Sequence, residues 1–89
     1  MRFTWHEPKR LINLKKHGFD FADAEGVFNG TTSTVEDKRH YQGEQRFNTT
    51  GLLGVVVVVI THTETEEEIH IISMREAENH ETHQFFSYL

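Results

Sequence analysis

Glu44 and Arg46 stand two residues apart in a stretch that reads as strand, residues 44–53, and alternate positions of a strand share one face. Arg75 closes a later strand-like run, residues 69–74, at the entry to the last helical stretch. Lys16 and His17 end the first helical stretch. A planar guanidinium grips phosphate oxygens in pairs, and an ammonium adds a compact point charge. If the helix end meets the polar face of the sheet, these five side chains converge on one phosphate. Each also has an ordinary reading. Glu44 and Arg46 then form a surface ion pair, Lys16, His17 and Gly18 are a usual cation-and-cap helix end, and Arg75 pairs with Glu78 or Glu81.

Charge is distributed in a way that bears on this set. The net charge is −5, yet residues 1–46 carry eight of the nine Lys and Arg against seven acids, while residues 47–89 carry Arg75 alone against seven acids. A polyanion is gripped by basic surface, so any such grip lies in the first half plus Arg75. With no cysteine, disulfides, thiolate metal sites and a cysteine nucleophile are excluded. The six glycines are scattered singly, so no glycine-rich phosphate loop is present. Among the seven histidines, His62 and His70 would face each other if the acidic hairpin turned at Glu66, and His80 and His83 share a helix face. Neither pair supplies the three or four ligands zinc requires, so solvated histidines, and no metal or other cofactor, are expected.

The elements that must position these groups are organised around residues 55–60, five valines and an isoleucine in a row. Such β-branched side chains lose χ1 freedom in a helix and pack well on a pleat, so the run is expected to be the central strand, covered on both faces. Before it, a helix starts near His6 and Glu7, with Pro8 in its first turn and Gly18 as left-handed cap. Leu11, Ile12 and Leu14 are its expected buried face, and Lys9, Arg10, Lys15 and Lys16 its wet one. A shorter helix follows, capped by Asp20, with Phe21, Ala24, Val27 and Phe28 on one side. Phe3 and Trp5 alternate with polar residues, as in a short edge strand or a packed lead-in. Strands are expected at residues 31–37, 44–53, 55–63 and 69–74, joined by a polar turn over 38–43, a tight turn at Gly54 and an acidic turn over 64–68. In the fourth, Ile69 and Ile71 oppose Ile72 and Met74. Residues 77–88 suit a last helix, with Ser73 as its cap. Short connections favour antiparallel neighbours. The expected fold is therefore α+β, a four-stranded antiparallel meander flanked by two N-terminal helices and one C-terminal helix, in a single domain over residues 1–89. The start of the chain has no apolar core of the kind signal peptides carry, and a cytoplasmic location is expected.

An ordered set of short motifs runs through this plan: Trp5, Glu7 and Lys9, Asn13, Lys16-His17-Gly18, Phe21, Ala24 and Val27-Phe28, then Asp37, Gly43-Glu44-Gln45-Arg46 and Gly51, then Ile71-Ile72-Ser73-Met74-Arg75, Ala77 and Glu81. At these spacings the chain resembles the BrnT family, toxins of bacterial type II toxin–antitoxin pairs. The resemblance implies a RelE-like fold and an endoribonuclease. It also implies a ribbon-helix-helix antitoxin as partner, RNA as substrate, operator DNA bound only through the antitoxin complex, and no membrane. Metal-free RNA cleavage needs a base for the 2′-OH, a cation for the phosphate and an acid for the leaving oxygen. On that basis His17 or Glu44 is the general base, and Lys16, Arg46 and Arg75 hold the phosphate. A second reading stays open. Residues 63–68 and 76–83 hold acids where the family usually carries basic residues, which suits a catalytically inactive module that only binds an antitoxin-like partner.

Overall fold

The computed structural model describes residues 1–39 and 42–89. In chain order its elements are β1 (Arg2–Trp5), α1 (Glu7–His17), a 3-10 turn (Phe21–Asp23), α2 (Ala24–Phe28), β2 (Thr32–Asp37), β3 (Arg46–Leu53), β4 (Val56–Glu64), β5 (Glu68–Glu76) and α3 (Asn79–Ser87). Local chemistry sets the helix ends. Gly18 adopts φ +80° and its N–H closes on the Leu14 carbonyl, and Asp20 accepts a hydrogen bond from the Ala22 N–H. The polar turn expected over residues 38–43 falls partly on residues 40 and 41, which lie outside the described residues. Among the described residues, no helix is long and apolar enough to cross a membrane.

The expected four-stranded antiparallel meander is incorrect. The sheet has five strands in the order β1-β5-β4-β3-β2, and β1 runs parallel to β5, with Arg2 to Trp5 beside Glu68 to Ile71. A parallel neighbour must be reached by a long crossover, and here the crossover is most of the chain. Four residues pairing with a strand so distant in sequence leave no local signal beyond the alternation of Phe3 and Trp5. The valine run is central as expected, although Val55 is not in the strand and is 96% exposed in the turn.

One face of the sheet is sealed. Val58, Ile60, Ile69, Ile71 and Met74 pack with Phe21, Ala24 and Val27. Ile69, Ile71 and Met74 share this side because a bulge leaves Ile72 unpaired: Thr61 faces Ser73, then His62 faces Ile71. The expectation that Met74 opposes Ile71 fails for that reason. Gly51 is required where α2 crosses β3, since a Cβ there would stand 2.8 Å from Val27 Cγ1.

Helix α1 is turned opposite to expectation. Leu11 and Ile12 are 52% and 64% exposed, whereas Asn13 is buried. The Asn13 amide donates to the Met74 carbonyl at 2.8 Å and accepts from the Met74 N–H at 3.1 Å. It thus serves as a surrogate strand residue along the edge of β5 that β1 is too short to cover, leaving neither Met74 backbone group unpaired.

Candidate active site

Alternation along β3 puts Arg46, Asn48 and Thr50 on the sheet face opposite the core. Asn48 pairs across with Thr61 and Thr50 with Val59, and Val59 pairs in turn with Arg75 on β5. Helix α3 lies over this face. Between helix and sheet is a cleft of about 200 Å³ lined by Ser33, Val35, Asn48, Thr50, Val59, Glu81, Gln84, Phe85 and Tyr88. Arg46 and Arg75 therefore project from the same face at diagonal corners. They are two strands and four residues apart, on the order of 16 Å between Cα atoms for strands about 4.8 Å apart rising about 3.3 Å per residue.

Each arginine is already held by a carboxylate. Arg46 Nε donates to Glu44 Oε1 at 2.6 Å. Glu44 lies just before β3 rather than in it, so the expected same-strand pairing is replaced by a loop residue folding back on the first residue of the strand. Arg75 donates through both terminal nitrogens to Glu81, at 2.7 and 3.0 Å. The same Glu81 carboxylate accepts the Glu78 N–H at 2.8 Å, which starts α3 at Glu78 and not at the expected Ser73, a residue inside β5. The Arg75 bond is the chief reason the Glu81 carboxyl is held down to about 2. Glu81 in turn raises the already high Arg75 pKa, while burial and, to a smaller extent, the positive charge of Arg39 oppose that rise. Arg39 itself is bound to the buried Asp37, at 2.6 Å for the shortest contact, and Asp37 faces Arg46 in register.

The five expected residues are thus divided. Glu44 and Arg46 are together, Arg75 shares their sheet face, and Lys16 and His17 are exposed at the end of α1. Among the described residues, no hydrogen bond or ion pair joins Lys16 or His17 to the other three. Their tie to the site runs through Asn13, one turn earlier, which is bonded to Met74 beside Arg75. Sequence reasoning missed Arg39, placed in a polar turn, and the whole α3 cleft. The available signal was the alternation of Arg46, Asn48 and Thr50 against Phe47, Thr49 and Gly51, which marks a polar face behind a packed one.

The histidines also depart from expectation. His62 is fully buried, not solvated, and bonds Thr49 Oγ1 through Nε2 at 2.7 Å. Its Nδ1 has no partner among the described residues, and burial lowers its pKa. His70 faces Thr63, not His62, and bonds Thr4 Oγ1 at 2.9 Å.

Compared with protein families, residues 5–81 match the model described as the ribonuclease toxin, BrnT, of type II toxin–antitoxin systems. No curated protein matches the chain.

Proposed function

The chain belongs to the BrnT family of ribonuclease toxins of type II toxin–antitoxin systems, and from that premise we propose that it cleaves RNA on the sheet face beneath α3 without a metal. Membership of this toxin family implies an antitoxin partner. The partner proposed is a ribbon-helix-helix protein, which covers this face and carries the complex to operator DNA.

The observation that carries the reading is Glu44 seated on Arg46 at 2.6 Å, on the same face as Arg75. Glu44 takes the proton from a ribose 2′-OH, and O2′ attacks the adjoining phosphorus. The P–O5′ bond breaks, the leaving oxygen takes a proton from solvent water, and the products carry a 2′,3′-cyclic phosphate and a 5′-OH. Arg46 offsets the charge that builds on the phosphate oxygens. At its distance, Arg75 holds a neighbouring phosphate of the same strand rather than the one under attack. Glu44 is favoured over His17 as base because it is held beside Arg46, the group that would hold the phosphate under attack, whereas His17 has no hydrogen bond to the site among the described residues. Lys16 adds long-range attraction for the strand.

The test is incubation of the free protein with single-stranded RNA in EDTA, followed by mapping of the new ends. Fragments ending in 2′,3′-cyclic phosphate and 5′-OH are expected. Intact RNA would refute the reading. It would favour the inactive antitoxin-binding module, for which the specific observation is that Glu81 already occupies both nitrogens of Arg75.

A further inference from the structure

Gripping phosphates needs cations, but the cleft beside Arg75 contains something else: an apolar wall and unused hydrogen-bond donors. Val35 and Tyr88 are 61% and 69% exposed at its rim, and Phe85 and Val59 close it below. Thr61 Oγ1 donates to Asn48 Oδ1 at 2.7 Å, which fixes the amide and leaves its two Nδ2 hydrogens without a protein acceptor among the described residues. The side-chain amide of Gln84 is also uncommitted among the described residues. At about 200 Å³ the cleft is smaller than sites for drug-sized ligands, roughly 300–1,000 Å³, and fits one planar ring. Unstacked bases of single-stranded RNA are recognised by this combination, a flat apolar surface for the ring and a polar group for its edge.

We infer that this cleft is a slot for one unstacked nucleobase, the base next to the phosphate held by Arg75. Asn48 Nδ2 donates to a carbonyl oxygen on the base edge, and Tyr88 covers the ring. The inference rests on the RNA reading above but concerns a different part of the face. It makes Asn48 and Tyr88 specificity-determining residues, not catalytic ones.

The test is a titration of ¹⁵N-labelled protein with uridine 3′-monophosphate, ribose 5-phosphate and inorganic phosphate, followed by NMR and calorimetry. The nucleotide is expected to shift the Asn48 side-chain amide and the Val35, Val59 and Tyr88 signals, and to bind at least tenfold more tightly than ribose 5-phosphate. Inorganic phosphate should shift the arginine signals alone. Tyr88→Ala, at a position exposed enough that the change does not threaten folding, should remove most of the nucleotide's advantage and leave phosphate binding unchanged. Asn48→Ala, which removes the donors without adding charge, should do the same. A nucleotide that binds no better than ribose 5-phosphate, or perturbs only the arginines, overturns the slot. If the nucleotide fills the slot but RNA is not cleaved, the cleavage reading fails and the slot stands. If RNA is cleaved while the slot stays empty, the reverse holds.

Discussion

The two faces of this sheet are made from the same strands and have opposite chemistry. On the α1–α2 side the buried polar groups bond to one another or to backbone, His62 Nδ1 excepted among the described residues. Thr34, Thr49 and His62 form a chain of hydrogen bonds at 2.7 Å each, and Asn13 satisfies the Met74 backbone. On the α3 side, donors and charges remain half-exposed: the Asn48 amide donates to no described residue, and Arg46 and Arg75 are held by the partly exposed carboxylates of Glu44 and Glu81. The lesson is that α3 does not complete a core. It forms one wall of a cleft, with Phe85 as its single buried anchor.

If the faces are divided in this way, substitutions on one should change stability and on the other activity. The largest stability effect is expected for Ile60→Ala, at the fully buried centre of the sealed face. It should cost about 2–5 kcal/mol in denaturant unfolding, with RNA cleavage per folded molecule retained. Asn13→Leu should cost about 1–3 kcal/mol, because it leaves the Met74 N–H and carbonyl unpaired at a sheet edge. Hydrogen exchange at Met74 should rise with it. On the open face, Arg75→Gln should change stability by less than about 1 kcal/mol, as partly exposed ion pairs do. A loss as large as that of Ile60→Ala would mean that α3 is part of the core and would break the comparison.

Acid titration gives the smallest and sharpest contrast. His62 and Glu81 both have folded pKa values below their unfolded ones, so each stabilises the fold above its unfolded pKa and loses that contribution as pH falls. The His62 loss begins below about 6.5, and the Glu81 loss runs from about 4.5 down to about 2. His62→Phe should abolish the first limb of a stability–pH curve and leave the second. Glu81→Gln should leave the first limb and only shrink the second, because the Glu7 and Asp20 carboxyls, each bonded to Arg10, are also held below their usual range. A first limb that survives His62→Phe would show that the buried imidazole is not its source.

What could be read from the sequence was what neighbours in sequence decide. Gly18, Asp20 and the valine run act within one turn or one strand, and they were legible. The β1–β5 pairing joins residues 66 positions apart. The bulge that turns Met74 inward arises from register between strands, not from either strand alone. Helix α1 misled most, because Leu11, Ile12 and Leu14 promise an inward face while a polar residue, Asn13, makes the contact that holds the helix. At the site, the Glu44–Arg46 spacing was visible as a pair. The cleft was not, since its lining is drawn from β2, β3, β4 and α3, four elements whose relation exists only after folding.

The most direct measurement is the rate of RNA cleavage by the Arg46→Ala, Arg75→Ala double variant beside its unfolding midpoint. Loss of charge-stabilising donors should lower the rate by at least about a hundredfold, while the fold keeps nearly its full stability. Cleavage at the unaltered rate by a fully folded double variant would contradict the assignment of function to the open face.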